Sequence, residues 1–319
     1  MKTSGHGIAL ALQGGGAHGA FTWGVLDRLL EGGVRIDSVC GVSSGAIIGT
    51  IMVQGLVGGG NEGARAAMRE LWRRVARAHA LSPLQNAPLE RWLWGWDLSN
   101  SLAWRAMEMA MRLFSPAQLN PFGHNPLRGL LADLLDPALL TDPSAPRLTV
   151  AATDVATGEA AMWGNADIDV EALLASACLP FVFPAIEIGG RAYWDGGYAG
   201  NPPLGPLLSP TPPADLVLVR AQPARRSGVP ATPIEITNRL NEIACHNVLA
   251  TELAALPDSV RLTTYDADEA LLDLPISSKF NGAAGFLSGL FDAGRQAVER
   301  SGLPPGVVTG GAVVVKLRQ

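Results

Sequence analysis

Cysteine is scarce in this chain: Cys40, Cys178 and Cys245 are the only three in 319 residues. Few, widely spaced and odd in number, they argue against a disulfide framework and signal no metal-ligand cluster, so a reducing compartment is the simpler setting. Charge is also thin, at 17% of residues, and its balance is −5. That balance argues against nucleic acid as the main partner, because neutralising phosphates takes a concentrated surplus of Lys and Arg. No apolar run reaches the ~20 residues that span a bilayer. The polar start, residues 1–7, lacks the charged and apolar regions of a secretory signal. A cytoplasmic protein is therefore expected, with peripheral membrane contact left open. No internal repeat is found.

What is present is apolar sequence, 48% of residues, punctuated by 37 glycines and 23 prolines. These fall between apolar segments and read as turns, and one main domain over residues 1–319 is expected. Residues 8–13 form a short apolar run that stops at Gly14, Gly15 and Gly16. Phe21, Val25, Leu26, Leu29 and Leu30 then recur at helical spacing and end at Gly32 and Gly33. The unit repeats at once: a strand at 38–42, broken at Ser43, and a helix at 46–57 ending at Gly58, Gly59 and Gly60. Strand, turn and helix in succession predict an α/β fold with a mostly parallel sheet. Residues 62–126 read as a helical insertion or cap. Further strands are expected at 147–153, in a hairpin at 186–193 across Gly189 and Gly190, and at 216–220. Residues 234–319 read as a C-terminal helical region with helices at 234–256 and 286–300, closed by a strand at 312–317.

Two features of the helical stretch admit two readings each. Arg65, Arg69, Arg73 and Arg77 share one helix face, either a solvated, partly ion-paired surface or a site of attraction to anionic headgroups. Trp92, Trp94, Trp96 and Trp104, beside Met107, Met109 and Met111, form either core or an amphipathic lid that meets lipid or lines an acyl pocket.

The chemistry concentrates in three places. Gly41-Val42-Ser43-Ser44-Gly45 is a G-x-S-x-G element where a strand turns into a helix, the context in which such a serine is an exposed nucleophile. Ser44 is better explained as a helix-capping residue. Gly14 to Gly19 can bring backbone amides close to a substrate, since glycine leaves the main chain bare and a helix follows. Asp195, before Gly196 and Gly197 and after an expected strand, is a candidate base facing a loop-lined cleft.

In order and spacing, Gly14–Gly19, Gly41–Gly45 and Asp195–Gly197 resemble the patatin-like phospholipase family. Ala175-Ser176-Ala177-Cys178-Leu179-Pro180 and Phe183-Pro184 resemble the segment that family places before its aspartate. The resemblance covers about residues 8–204 and implies a three-layer α/β/α sandwich working without a cofactor. It implies a Ser43–Asp195 pair, with Gly14, Gly15 and Gly16 as the oxyanion hole and a lipid or other acyl ester as substrate. Phospholipase A, lysophospholipase and esterase activities fit equally, and transfer of the acyl group to an acceptor other than water shares the same acyl-enzyme. Where the family commonly has Arg or Lys, this chain has His18. Either His18 gives pH-dependent electrostatic help or it is a first-turn helix residue without a catalytic part.

Three rivals stand beside this reading. Gly14-x-Gly16-x-x-Gly19 followed by Asp37 also fits a dinucleotide-binding fingerprint. An α/β-hydrolase triad would recruit His246, although the nucleophile comes early in the chain for that fold; His79 and His124 have no motif context. A lipid-binding protein with a degenerate site is the non-enzymatic option.

Overall fold

The computed structural model describes residues 7–86 and 88–304. Strand β1 (Ile8–Leu12) is buried throughout and alternates in size: Ile8, Leu10 and Leu12 face one core, Ala9 and Ala11 the other. The chain leaves it through the glycine loop and a single 3-10 turn into α1 (Gly19–Glu31), then enters β2 (Ile36–Val42), parallel to β1. Helix α2 (Ser44–Ala80) breaks at Gly59 and Gly60, the latter at φ +61. A Cβ on Gly55 would lie 2.6 Å from Cα of Ala64. Residues nine apart lie ~13 Å apart along a continuous helix, so the second half folds back on the first.

That second half is not cap. Ala64, Met68, Leu71 and Trp72 are buried in the main core, so the segment expected to be peripheral from residue 62 starts later, beyond the end of α2. The arginine face is ion-paired where partners are resolved: Arg65 reaches Asp27, Glu31 and Glu62, and Arg73 reaches Glu70. Helices α3 (Pro88–Trp94), α4 (Leu102–Leu113) and α5 (Pro126–Leu134) follow. The tryptophans divide: Trp104 is buried and tilted against Phe280, Trp96 packs on Phe286, and Trp92 is exposed.

Next come β3 (Arg147–Asp154), β4 (Ala160–Gly164), α6 (Val170–Ser176), β5 (Ile186–Ile188) and β6 (Arg191–Asp195). The chain continues through β7 (Asp215–Arg220), α7 (Pro233–Ala254), β8 (Arg261–Asp266) and α8 (Ala284–Ser301). The sheet runs β5-β6-β3-β2-β1-β7-β8, with β4 also paired to β3. Its centre, β3-β2-β1-β7-β8, is parallel, and β4, β5 and β6 are antiparallel at one edge. Helices α1, α2 and α8 cover one face; α7 and the turn at Leu204 and Leu207 cover the other, giving the three-layer α/β/α arrangement.

The hairpin at Gly189 and Gly190 forms as expected, both glycines at positive φ. Strands β4 and β8 were not expected. Most residues of β4 are only half-buried, and β8 reads Arg-Leu-Thr-Thr-Tyr-Asp at a sheet edge, so neither carries the apolar run that marks a buried strand. The C-terminal region thus adds a parallel strand as well as helices. The strand expected at 312–317 lies outside the described residues. No helix among the described residues is long and apolar enough to cross a membrane.

Candidate active site

Where β2 passes into α2, Ser43 adopts φ +55, ψ −126, the one positive φ on a non-glycine among the described residues. Such strain persists where the surroundings over-determine it, and here they do. The Ser43 N–H donates to Ser176 Oγ at 2.9 Å, and Ser176 Oγ donates to the Ala151 carbonyl at 2.7 Å. On either side, a Cβ on Gly41 would sit 2.6 Å from the Gly45 carbonyl oxygen, and one on Gly45 2.3 Å from that of Leu12. Both elbow glycines are there because backbone occupies the space a side chain would need.

The glycine loop lies directly beside this turn. A Cβ on Gly14 would meet Cβ of Ser43 at 2.7 Å. The Gly14 N–H donates to Asn201 Oδ1 at 2.8 Å, and the Gly15 N–H to Ser44 Oγ at 3.1 Å. Gly16, at φ +59, opens the 3-10 turn Gly16–His18. Its amide, like that of Ala17, has no intrahelical partner by geometry, and none is resolved for either among the described residues.

Asp195 ends β6, antiparallel to β3, and reaches the same place. Its Oδ1 accepts the Gly197 N–H at 2.9 Å, and the Ser43 hydroxyl is near enough to favour its ionised form. Its own N–H donates to the Cys178 carbonyl, and Thr153 Oγ1 donates to its carbonyl oxygen. Ser43 and Asp195, 152 positions apart, both line a cavity of about 630 Å3 that is largely apolar, in the size range of ligand sites. Leu71, Trp72 and Val75 of α2, Trp104, Met107 and Met111 of α4 and Leu127 and Leu130 of α5 contribute apolar wall; Asn238, Asn241 and Glu242 of α7 and Lys279 contribute polar groups.

The model of the patatin-like phospholipase family matches residues 10–208, which contain the elbow, the loop and the aspartate. The chain belongs to this family. Among curated relatives, uncharacterized NTE family proteins of Mycobacterium bovis and Mycobacterium tuberculosis are 26% identical over 239 residues, 73% of this chain and 55% of theirs. The chain spans about half the length of these relatives. Two solved structures are also similar: VipD from Legionella pneumophila and ExoU of Pseudomonas aeruginosa, in complex with SpcU. VipD has 12% identity and a TM-score of 0.38, covering 91% of this chain and 67% of that one. ExoU has 16% identity and a TM-score of 0.36, covering 92% and 52%.

Within this patatin-like frame, burial raises the Asp195 carboxyl from 3.8 to about 6, opposed by the nearby Ser43 hydroxyl, the hydrogen bond from the Gly197 amide and the positive charge of Lys279. His18 is wholly buried; its Nε2 lies 2.7 Å from Ser278 Oγ and its ring meets the edge of Phe286. Burial, with Lys279 and Arg226 adding repulsion, lowers its pKa to about 3. A ring so shifted is neutral at physiological pH, which speaks against the first of the two readings of His18 and for the second. Cys178 and Cys245 flank Asp195, and burial pushes their thiols up to about 12 and about 11, far from the thiolate range of a nucleophile.

The rivals' residues lie elsewhere. Asp37 sits at the start of β2, bonded to the Gly7 amide and Arg35. The glycine loop sits at the strands' carboxyl ends, ~16 Å away along the strand, so Asp37 is at the wrong edge for a ribose. His246 is exposed on α7 and does not line the cavity. His79 does line it, half-buried with its pKa lowered by burial, but no hydrogen bond joins it to Ser43 or Asp195 among the described residues. Among the described residues no group of three or more His, Cys, Asp or Glu is placed to hold a metal.

Sequence reasoning missed Asn201, Ser176 in its supporting role, Gln222 and Lys279. Gln222 Nε2 donates to the Gly14 carbonyl at 2.9 Å. Ser176 had a signal, lying in the segment that resembles the family's. Gln222 and Lys279 had none, since both come from the part of the chain beyond the family match.

Proposed function

We propose that this chain is a serine hydrolase that cleaves acyl esters of lipids, with Ser43 as nucleophile and Asp195 as general base. One observation carries the reading: a serine on a strained turn and a buried carboxylate that feels its hydroxyl share the wall of one apolar cavity. The ionised Asp195 accepts the Ser43 proton as Oγ attacks the ester carbonyl. The Gly16 amide meets the developing oxyanion, joined by Gly15 once the Ser44 hydroxyl turns aside; Gly14 holds the loop to Asn201. Collapse of the tetrahedral intermediate, with the Asp195 proton passing to the departing alcohol, leaves an acyl-Ser43 ester. Asp195, ionised again, then deprotonates a water that releases the acid.

Burial suits the carboxylate to this work, because a base with a pKa near 6 binds a proton more strongly than an exposed aspartate yet stays ionised at neutral pH. The helical segment within 62–126 is read as cap: Trp104, Met107 and Met111 form acyl-binding wall, and the exposed apolar side chains of α3 and α4 meet the lipid surface. The three free, buried cysteines suit a reducing cytoplasmic setting.

The test is hydrolysis of a short-chain nitrophenyl ester together with labelling by a fluorophosphonate. Ser43→Ala is expected to abolish both, and Asp195→Asn to lower kcat by roughly 10²–10⁴. A wild-type protein that neither hydrolyses nor labels, or an Asp195→Asn variant as fast as wild type, overturns the assignment.

A further inference from the structure

Lys279 is a cation with a side chain only 16% exposed, in a cavity that is otherwise mostly apolar, and the roles already assigned do not account for it. It belongs to the 3-10 turn Ile276–Phe280, and its carbonyl oxygen lies 2.5 Å from where a Cβ of Gly16 would be. This backbone therefore rests on the glycine loop itself. Lys279 lines the cavity, and its Nζ donates to Asn238 Oδ1 at 2.9 Å and reaches Glu242 Oε1 at 3.5 Å.

Glu242 does not need it. That carboxylate is already gripped by both arms of Arg226, at 2.6 and 3.1 Å, and by Arg239 at 3.3 Å. Arg226 is spent further on the carbonyls of Leu271, Leu272 and Leu274. One buried carboxylate thus stands among three cations, and an ionised Asp195 still leaves one positive charge in surplus. An ammonium has three donors; one is used well and one at the limit of reach, so the third has no partner among the described residues. A charge largely withdrawn from water and left under-compensated is costly, and an anion entering the cavity would supply the missing partner.

We propose that Lys279 is a specificity-determining residue that receives an anionic group, phosphate or carboxylate, on the alcohol side of the ester. This rests on the hydrolase reading and adds to it the residue that reads the charge of the substrate's head. The acyl chain takes the apolar wall of α2, α4 and α5, and the head lies toward α7 and the 276–280 turn. Burial and Arg226 both pull the lysine below its ordinary pKa, and a bound anion would reverse that.

The test compares Lys279→Met and Lys279→Arg with wild type on three octanoyl glycerols below their micellar range: the neutral monoester, its 3-phosphate and its hemisuccinate. The ratio of kcat/KM for charged over neutral substrate is the readout. Any effect of the lysine on Asp195 reaches all three substrates equally and cancels. Lys279→Met is expected to lower the ratio at least tenfold, and Lys279→Arg to restore most of it. A fall on both charged substrates assigns the subsite to anions in general, and a fall on the 3-phosphate alone assigns it to phosphate. A ratio unchanged within twofold, in a variant that still labels with fluorophosphonate, overturns the proposal while leaving the hydrolase reading intact. A wild-type chain with no ester hydrolysis overturns both.

Discussion

Asp195 and His18 are both buried titratable groups, shifted in ways that separate their effects. An acid whose pKa rises on folding, here from 3.8 to about 6, holds its proton more tightly in the native state. Below pH ~4 it is protonated in both states and costs nothing. As pH climbs through 6 the native protein must ionise it, and stability falls. Activity is expected to move the opposite way, since Asp195 in its proposed role as base must be ionised. kcat/KM is expected to rise with pH to a plateau, half-maximal near 6. Asp195→Asn, which removes the buried charge, is expected to raise Tm at pH 8 relative to wild type and leave it unchanged at pH 4. His18, with a pKa of about 3 against 6.5 when free, does not titrate across this range in the folded protein, so His18→Gln is expected to leave the midpoint near 6. A pH-rate midpoint that moves by a full unit in His18→Gln would return the histidine to the mechanism.

Helices α1 and α8 meet at glycines. A Cβ on Gly24 would lie 1.9 Å from the Phe291 carbonyl oxygen, and one on Gly294 2.1 Å from that of Phe21. Neither glycine has a positive φ, so the requirement is space and not backbone conformation. Because the obstacle is backbone, the helices themselves must separate to admit a methyl group. Gly24→Ala is expected to destabilise by about 1–3 kcal/mol, read by urea denaturation, although alanine has the better helix propensity. A neutral or stabilising result would show that the crossing can slide. This crossing also aligns Asp27 of α1, 2% exposed, with Arg65 of α2 and Arg295 of α8. The helix layer above β1 and β2, and with it the elbow, depends on that contact.

Taken whole, the molecule is acidic overall, yet a run of large apolar side chains stands out from it. Trp92 and Leu93 of α3, Leu102 and Leu113 of α4, and Phe122 beyond them are all exposed, Phe122 at 95%. The same helix α4 contributes Trp104, Met107 and Met111 to the cavity that Ser43 and Asp195 line. Over residues 88–122 the charges balance: Glu90, Asp97 and Glu108 against Arg91, Arg105 and Arg112. Lipid contact here would be apolar and not electrostatic. The expected result is binding to neutral phosphatidylcholine vesicles that is insensitive to salt and falls several-fold in Trp92→Ser/Phe122→Ser, with short-chain ester turnover retained. Binding that appears only on anionic vesicles and is lost at high salt would point to the arginine face of α2 instead.

Local signals carried much of this protein. The strand, glycine turn and helix of residues 8–31, the elbow at Ser43, the hairpin at Gly189 and Gly190 and the aspartate before two glycines were all legible, because each depends on neighbours close in sequence. So were the α/β class and the family resemblance. Edge strands β4 and β8 were not, since their partners, and not an apolar run of their own, make them strands. The fold-back at Gly59 and Gly60 makes core of a helix that reads as cap. Ser176 under the elbow and Asn201 and Gln222 on the glycine loop act through contacts with residues 133 or more positions away, and the Lys279 backbone meets Gly16 from the far end of the chain. Polar side chains far apart in the chain carry no periodicity, and their roles come into being when the sheet and its helix layers bring them together.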